Sequence, residues 1–278
     1  MRTKCCCWRK FIGKRVMEEK KFKIVESKKT RYILPNILTI AGVCLGISSI
    51  KFSLDLNFNM AVIFITLAAI LDALDGRIAR LIKGTSDFGK ELDSLTDFVS
   101  FGIAPAFIIY FWELNKYGKI GWAITLIYSV CCVLRLARFN LTKFKPEESW
   151  KQNYFEGVPS PIGALLILSP LVLELTKTNL IIDKNYFVPL FTLFVAVLLI
   201  SKVPTYSFKN IKIKPALTVF ILLGIGVALV TLMFFTFETL LVFSLFYILS
   251  IPLACVTYLN NKKSFQMDNS EDEHEDIL

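Results

Sequence analysis

The chain has 278 residues, 54% of them hydrophobic, and a formal net charge of +9. Soluble domains carry about 45–50% apolar residues in dispersed amphipathic patterns, whereas here they fall in blocks of bilayer length, which excludes an ordinary soluble domain. The basic residues flank those blocks and sit in alternate loops, which argues against nucleic-acid binding and for anchoring beside anionic headgroups.

In chain order, residues 1–32 form a basic segment with Trp8, Phe11, Ile12, Val16 and Phe22 interspersed. It reads either as an amphipathic helix lying on an anionic leaflet or as a disordered basic tail. Met17 is an alternative start. The first apolar block follows a long charged stretch and exceeds the length of a signal-peptide core, so no cleavable signal is expected. Eight apolar spans are predicted, at about 33–53, 58–82, 93–112, 120–138, 160–177, 186–203, 215–236 and 239–259. Together they make residues 33–259 one all-α, polytopic membrane bundle. Most loop Lys and Arg collect on one side, from Lys28 and Arg31 through Arg138 and Lys145 to Lys262 and Lys263. That side is expected to be cytoplasmic, with both termini on it.

Residues 260–278 are acidic and nearly free of apolar groups, so they are expected to be a disordered tail. His274, the one histidine, lies there and is neither ligand nor catalyst. The seven cysteines include Cys44, Cys131, Cys132 and Cys255 in apolar segments, without zinc-site spacing. They read as packing residues in a reducing setting. The Cys5–Cys7 run carries a minor alternative as a lipidation site.

Carboxylates inside membrane spans are costly, about 2.5–3.5 kcal/mol each near a helix centre. Two successive spans carry four of them. Asp72 and Asp75 stand at i and i+3, and Asp93 and Asp97 at i and i+4, so each pair shares a helix face. The short connector between them contains Lys83, Gly84, Thr85 and Ser86, which makes the two helices antiparallel neighbours and converges the four carboxylates. Like charges that close need a counter-charge, and hard divalent cations such as Mg²⁺, Mn²⁺ or Ca²⁺ suit all-oxygen ligands. Gly76 and Ala79 leave room for a ligand to approach the backbone, and Arg80, with Arg77, supplies charge for phosphate. These features together describe a site for a nucleotide diphosphate.

Residues 72–97, DALDGRIARLIKGTSDFGKELDSLTD, match D-x2-D-G-x2-A-R-x8-G-x3-D-x3-D at every fixed position: Asp72, Asp75, Gly76, Ala79, Arg80, Gly89, Asp93 and Asp97. This pattern resembles the signature of the CDP-alcohol phosphotransferase family. Its serine-using branch, the bacterial CDP-diacylglycerol–serine O-phosphatidyltransferases, is resembled by Ser100, Phe101, Gly102, Ala104 and Pro105, by Arg135–Asn140, by Phe155–Pro161 and by Leu34–Thr39. The resemblance covers residues 34 to about 165. Later spans match only in hydrophobicity.

The resemblance implies transfer of a phosphatidyl group from CDP-diacylglycerol to L-serine, with CMP leaving. It implies two divalent cations, Mg²⁺ or Mn²⁺, held by Asp72, Asp75, Asp93 and Asp97, and Asp97 as the base for the serine hydroxyl. No histidine lies near the membrane core, which agrees with a carboxylate base and disfavours the phospholipase D-like class of serine enzymes. Gly76, Ala79 and Arg80 are the expected CDP and phosphate contacts. Asn36 and Thr39 are either cytidine contacts or a helix cap after Pro35. A serine carboxylate calls for a cation, so Arg135 and Arg138 are candidates, with plain membrane anchoring as the alternative. Asn140 is a candidate to assist, and Glu156 to hold the serine ammonium. A homodimer in the cell's inner membrane, with its site facing the cytoplasm, is expected. The rivals are a relative using glycerol-3-phosphate, inositol phosphate or choline as acceptor and, from another class, an ion or metal transporter. Transport carboxylates belong near the midplane in repeated halves, and no such repeat is visible.

Overall fold

The computed structural model describes residues 30–82, 87–141, 154–176, 184–206 and 215–275. The basic segment 1–29, with its amphipathic reading, and residues 276–278 lie outside them. The helices are α1 (Thr30–Leu54), α2 (Phe58–Leu81), α3 (Asp87–Asp97), α4 (Ala104–Trp112), α5 (Lys119–Leu141), α6 (Ser160–Leu175), α7 (Lys184–Ile200), α8 (Pro215–Phe234) and α9 (Thr236–Glu275). A π-helical stretch, Phe98–Ile103, joins α3 to α4 into one rod, and a 3₁₀ turn, Leu114–Tyr117, precedes α5. With that rod counted once, the described residues form eight helical rods, one for each predicted span. Five segments are long and apolar enough to cross a bilayer: Leu34–Leu54, Phe58–Leu81, Phe88–Trp112, Lys119–Leu141 and Thr236–Tyr258. The molecule is an all-α polytopic membrane protein.

Helix α6 is the hub. It packs on α4, α7 and α9, and Gly163, Ala164, Leu166, Ile167, Leu168, Leu171 and Val172 are all buried on it. A helix apolar on every side has no solvent face to present. Around it, Ile37, Ile40 and Ile47 of α1 and Phe243, Phe246 and Leu249 of α9 point outward, as lipid-facing residues do. Lipid tails are as apolar as leucine, so association of these helices rests on close packing and interhelical hydrogen bonds. Helix α1 shows this in a buried stripe of Pro35, Thr39, Gly42, Gly46 and Ser49. At Gly46 a Cβ would come within 2.7 Å of Ser100 Oγ.

The π-helical stretch has a local cause. Pro105 lacks the N–H that would bond the Phe101 carbonyl in a regular helix, and its ring crowds that carbonyl. The backbone takes the i→i−5 pattern, with Ala104 N–H reaching Val99 O. Tyr128 of α5, wholly buried, donates its hydroxyl to Phe101 O at 3.1 Å. Tyr128→Phe keeps the ring and strands the carbonyl, so a loss of about 1–3 kcal/mol is expected. The thermal midpoint in detergent checks it; an unchanged midpoint means the carbonyl has another partner.

Three expectations change. The stretches just before the fifth predicted span and just after the sixth pair as a short antiparallel ribbon, β1 (Tyr154–Glu156) and β2 (Pro204–Tyr206), with Phe155 opposite Thr205. Residues 201–203 therefore leave the predicted span, and α6 and α7 are only 16 and 17 residues long. Gly157, at φ +80°, turns the chain beside the ribbon where a Cβ would lie 2.8 Å from Ser201 O. Second, α1 begins at Thr30, with Pro35 inside it. Asn36 and Thr39 lie in the helix body, so the cap reading fails. Third, the backbone of α9 runs on as helix to Glu275, through residues predicted to be disordered. Extending an existing helix requires no new nucleus.

Candidate functional site

The carboxylates converge as their spacing predicts. One oxygen each from Asp72, Asp75 and Asp93 lie within 4.8 Å of one another. Asp72 and Asp75 come from the last turns of α2, and Asp93 and Asp97 from α3. Helix α1 packs against both α2 and α3 and ties the group together. Thr39 donates its hydroxyl to Asp75 Oδ2 at 2.7 Å and lies 3.0 Å from the Pro35 carbonyl. Asp75 is buried, with 4% of its surface exposed. One helical turn on, Gly42 faces Thr96 of α3.

Asp97 stands beside this trio. Its carboxyl neighbours that of Asp72, while its Oδ1 is buried without a hydrogen-bond partner. Arg135 of α5 acts on it electrostatically, and its Nη1 donates to Ser160 Oγ at the start of α6. Helix α5 therefore carries a cation to the edge of the carboxylate group.

The trio offers only hard carboxylate oxygens, the donor set that divalent cations such as Mg²⁺, Mn²⁺ and Ca²⁺ take. Four carboxylates with no cation beside them, among the described residues, other than Arg135 would repel one another. The donor set thus fits a divalent metal.

Gly76 lies on an exposed face, and a Cβ there would meet nothing within 4 Å. Packing does not demand glycine at this position. Arg80, exposed, donates from Nε to the Gly76 carbonyl at 3.0 Å, which holds its guanidinium along the same face, with Ala79 partly buried beside it. Gly76→Ala is expected to leave the thermal midpoint unchanged or slightly raised, since alanine favours a helix by about 0.8–1.0 kcal/mol. It should weaken binding of a phosphate-bearing ligand at this face; unchanged binding would show that no ligand uses it.

The remaining candidates separate. Arg138 Nη1 donates to Ile200 O (2.9 Å) and Nη2 to Ser201 O (3.3 Å). It caps the C-terminal carbonyls of α7, so of the two candidate arginines Arg135 is the one facing Asp97. Asn140 Nδ2 donates to Ser94 Oγ at 3.0 Å, next to Asp93 in sequence. Asn36 is partly buried on α1. Glu156 is in β1, and its side chain lies outside the described residues. Sequence reasoning missed the Thr39–Asp75 bond. The signal was available in Thr39, Gly42 and Gly46, small residues at helical spacing.

A family model described as CDP-alcohol phosphatidyltransferase matches residues 32–256. A CDP-diacylglycerol–serine O-phosphatidyltransferase of Mycobacterium leprae is 38% identical over 184 residues, 66% of this chain and 61% of that protein. The match thus spans about three-fifths of the mycobacterial relative's length. One from Helicobacter pylori is 35% identical over 199 residues, 72% of this chain and 81% of that protein. An archaetidylserine synthase of Methanothermobacter thermautotrophicus is 36% identical over 148 residues, 52% of this chain and 60% of that protein. The matched region takes in every carboxylate of the site as well as Arg135 and both strands of the ribbon, and the chain belongs to the CDP-alcohol phosphatidyltransferase family.

Proposed function

We propose that the protein transfers the phosphatidyl group of CDP-diacylglycerol to the hydroxyl of L-serine, forming phosphatidylserine and releasing CMP. The observation that carries this reading is the meeting of three carboxylates, a fourth with an unpartnered oxygen, and Arg135. Two divalent cations, Mg²⁺ or Mn²⁺, held by Asp72, Asp75 and Asp93 with Asp97 at their edge, would neutralise the diphosphate and the departing CMP. Asp97 takes the serine hydroxyl proton as the serine oxygen bonds to phosphorus and the phosphorus–oxygen bond to CMP breaks. A carboxylate is a weak base for an alcohol, so proton transfer comes late and Asp97 chiefly orients the nucleophile. Gly76, Ala79 and Arg80 contact the diphosphate. Asn36 lies on the cytidine side, and Thr39 acts through Asp75. Arg135 receives the serine carboxylate, Asn140 stands at the mouth, and Glu156 remains the candidate for the ammonium.

The relatives' names support serine more strongly than any one lipid, because phosphatidyl and archaetidyl names share the serine. The lysine and arginine distribution supports an inner-membrane protein with its site and both termini on the cytoplasmic side, and the family supports a homodimer. A transporter fits less well, since the sequence shows no repeated half carrying a second set of such carboxylates.

The test is CMP release from CDP-diacylglycerol by purified protein with Mn²⁺ or Mg²⁺. Parallel reactions contain L-serine, glycerol-3-phosphate, inositol phosphate or no acceptor. Serine-dependent release abolished by chelator is expected. Release with another acceptor alone overturns the serine assignment, and no release with any acceptor overturns the reaction.

A further inference from the structure

Among the described residues, four buried side-chain polar atoms have no hydrogen-bond partner: Ser53 Oγ, Asp97 Oδ1, Arg135 Nε and Tyr247 Oη. Leaving such an atom unpaired forfeits its hydration with nothing in return, so a cluster of them calls for a reason. Three of the four belong to residues that interact around one guanidinium: Arg135 interacts electrostatically with both Asp97 and Tyr247, and its Nη1 donates to Ser160 Oγ. Tyr247 belongs to α9, far outside the signature and beyond the region whose resemblance is specific. It is placed by packing: β2 rests against α9, and the Tyr247 hydroxyl lies beside Thr205. The Thr205 hydrogen is already committed to the Gly157 carbonyl at 2.9 Å. The ribbon thus helps to place α9 and Tyr247, whose hydroxyl is buried without a hydrogen-bond partner.

The three atoms are chemically complementary to a hydroxy amino acid. Arg135 Nε–H and Tyr247 O–H are two donors, which a carboxylate accepts together. Asp97 Oδ1 is an acceptor, which a hydroxyl satisfies. Such a ligand would pair all three at once. The geometry points to Tyr247 as a specificity-determining residue of the acceptor pocket: with Arg135 it receives the acceptor's carboxylate, while Asp97 Oδ1 takes the acceptor's hydroxyl hydrogen. This assignment rests on the phosphatidyl-transfer reading and adds to it a residue from the last helix. It also gives the short ribbon a purpose, since the ribbon holds α9 against the site.

The experiment compares wild type with Tyr247→Phe in CMP release, varying L-serine, CDP-diacylglycerol and Mn²⁺ in turn. Loss of one hydrogen bond to a charged group is expected to raise the KM for serine roughly tenfold or more. The kcat, the KM for CDP-diacylglycerol, the Mn²⁺ requirement and the thermal midpoint should stay within about twofold or a degree or two of wild type, since the phenyl ring preserves the packing. A merely structural tyrosine would lower the midpoint or move the two substrate constants together, and either result overturns the assignment, as does an unchanged serine KM. Wild type that releases no CMP with serine overturns the parent reading and this assignment with it. Wild type that turns over serine normally, with Tyr247→Phe indistinguishable from it, overturns the assignment alone.

Discussion

Asp97→Asn is expected to lower kcat by roughly 10²–10⁴-fold, the range for removing a positioned proton acceptor, with the KM for CDP-diacylglycerol little changed. The substitution keeps the shape of the side chain and its contact with Asp72 but replaces one carboxylate oxygen with an amide. Asp72→Asn, Asp75→Asn and Asp93→Asn should behave differently. Each removes an oxygen from the trio within 4.8 Å, so each should raise the Mn²⁺ or Mg²⁺ concentration needed for half-maximal rate, and part of the lost rate should return at high metal. The measurement is kcat for CMP release at saturating serine and lipid across a metal titration. Full recovery of Asp97→Asn at high metal would make Asp97 a ligand only and remove it as the base.

Gly121→Ala carries the largest expected effect on stability. Gly121 lies buried in the first turn of α5, and a Cβ there would sit 1.9 Å from the Leu114 carbonyl oxygen and 2.8 Å from its carbon. These are backbone atoms, so no side-chain rotation relieves the clash. The 3₁₀ turn that carries Leu114 cannot easily withdraw either. Leu114 is fully buried, and Lys116 Nζ binds both oxygens of buried Glu113 at 2.8 Å. Tyr117 donates its hydroxyl to the Asn185 carbonyl at the start of α7. Overpacking usually costs about 1–3 kcal/mol, and more where nothing yields. We expect roughly 3 kcal/mol or more, seen as a thermal midpoint in detergent lowered by at least several degrees, or as failure to recover folded protein. Gly118→Ala is the control: its Cβ would meet nothing, and only the backbone at φ +53° resists, a cost of about 1–2 kcal/mol. Equal effects at the two positions would show that the contact with Leu114 is not the cause.

Much of this architecture was legible because its causes are local. Bilayer thickness sets the length of apolar blocks, and eight blocks became eight rods. Their ends were less legible. Residues 201–203 were assigned to a span by hydropathy alone, yet the chain turns there because β2 finds a strand partner at Phe155, a pairing that hydropathy does not encode. The π-helical stretch after Asp97 is foreshadowed by Pro105, but its stability depends on Tyr128 from another helix.

By itself the sequence determined the helix faces and the chemistry on them: a 3.6-residue period puts Asp72 with Asp75 and Asp93 with Asp97 whatever surrounds them, and the signature they form named the family. Only the tertiary structure decided which distant groups meet those faces. Arg135 and Arg138 are equally basic and three residues apart, but α7 ends against Arg138 and consumes it, leaving Arg135 for the site. Thr39 reaches Asp75 across 36 residues of chain, and Tyr247 arrives from the last helix. The reason is physical: periodicity is a property of neighbouring residues, whereas the partner of a buried polar group is selected by how whole helices pack.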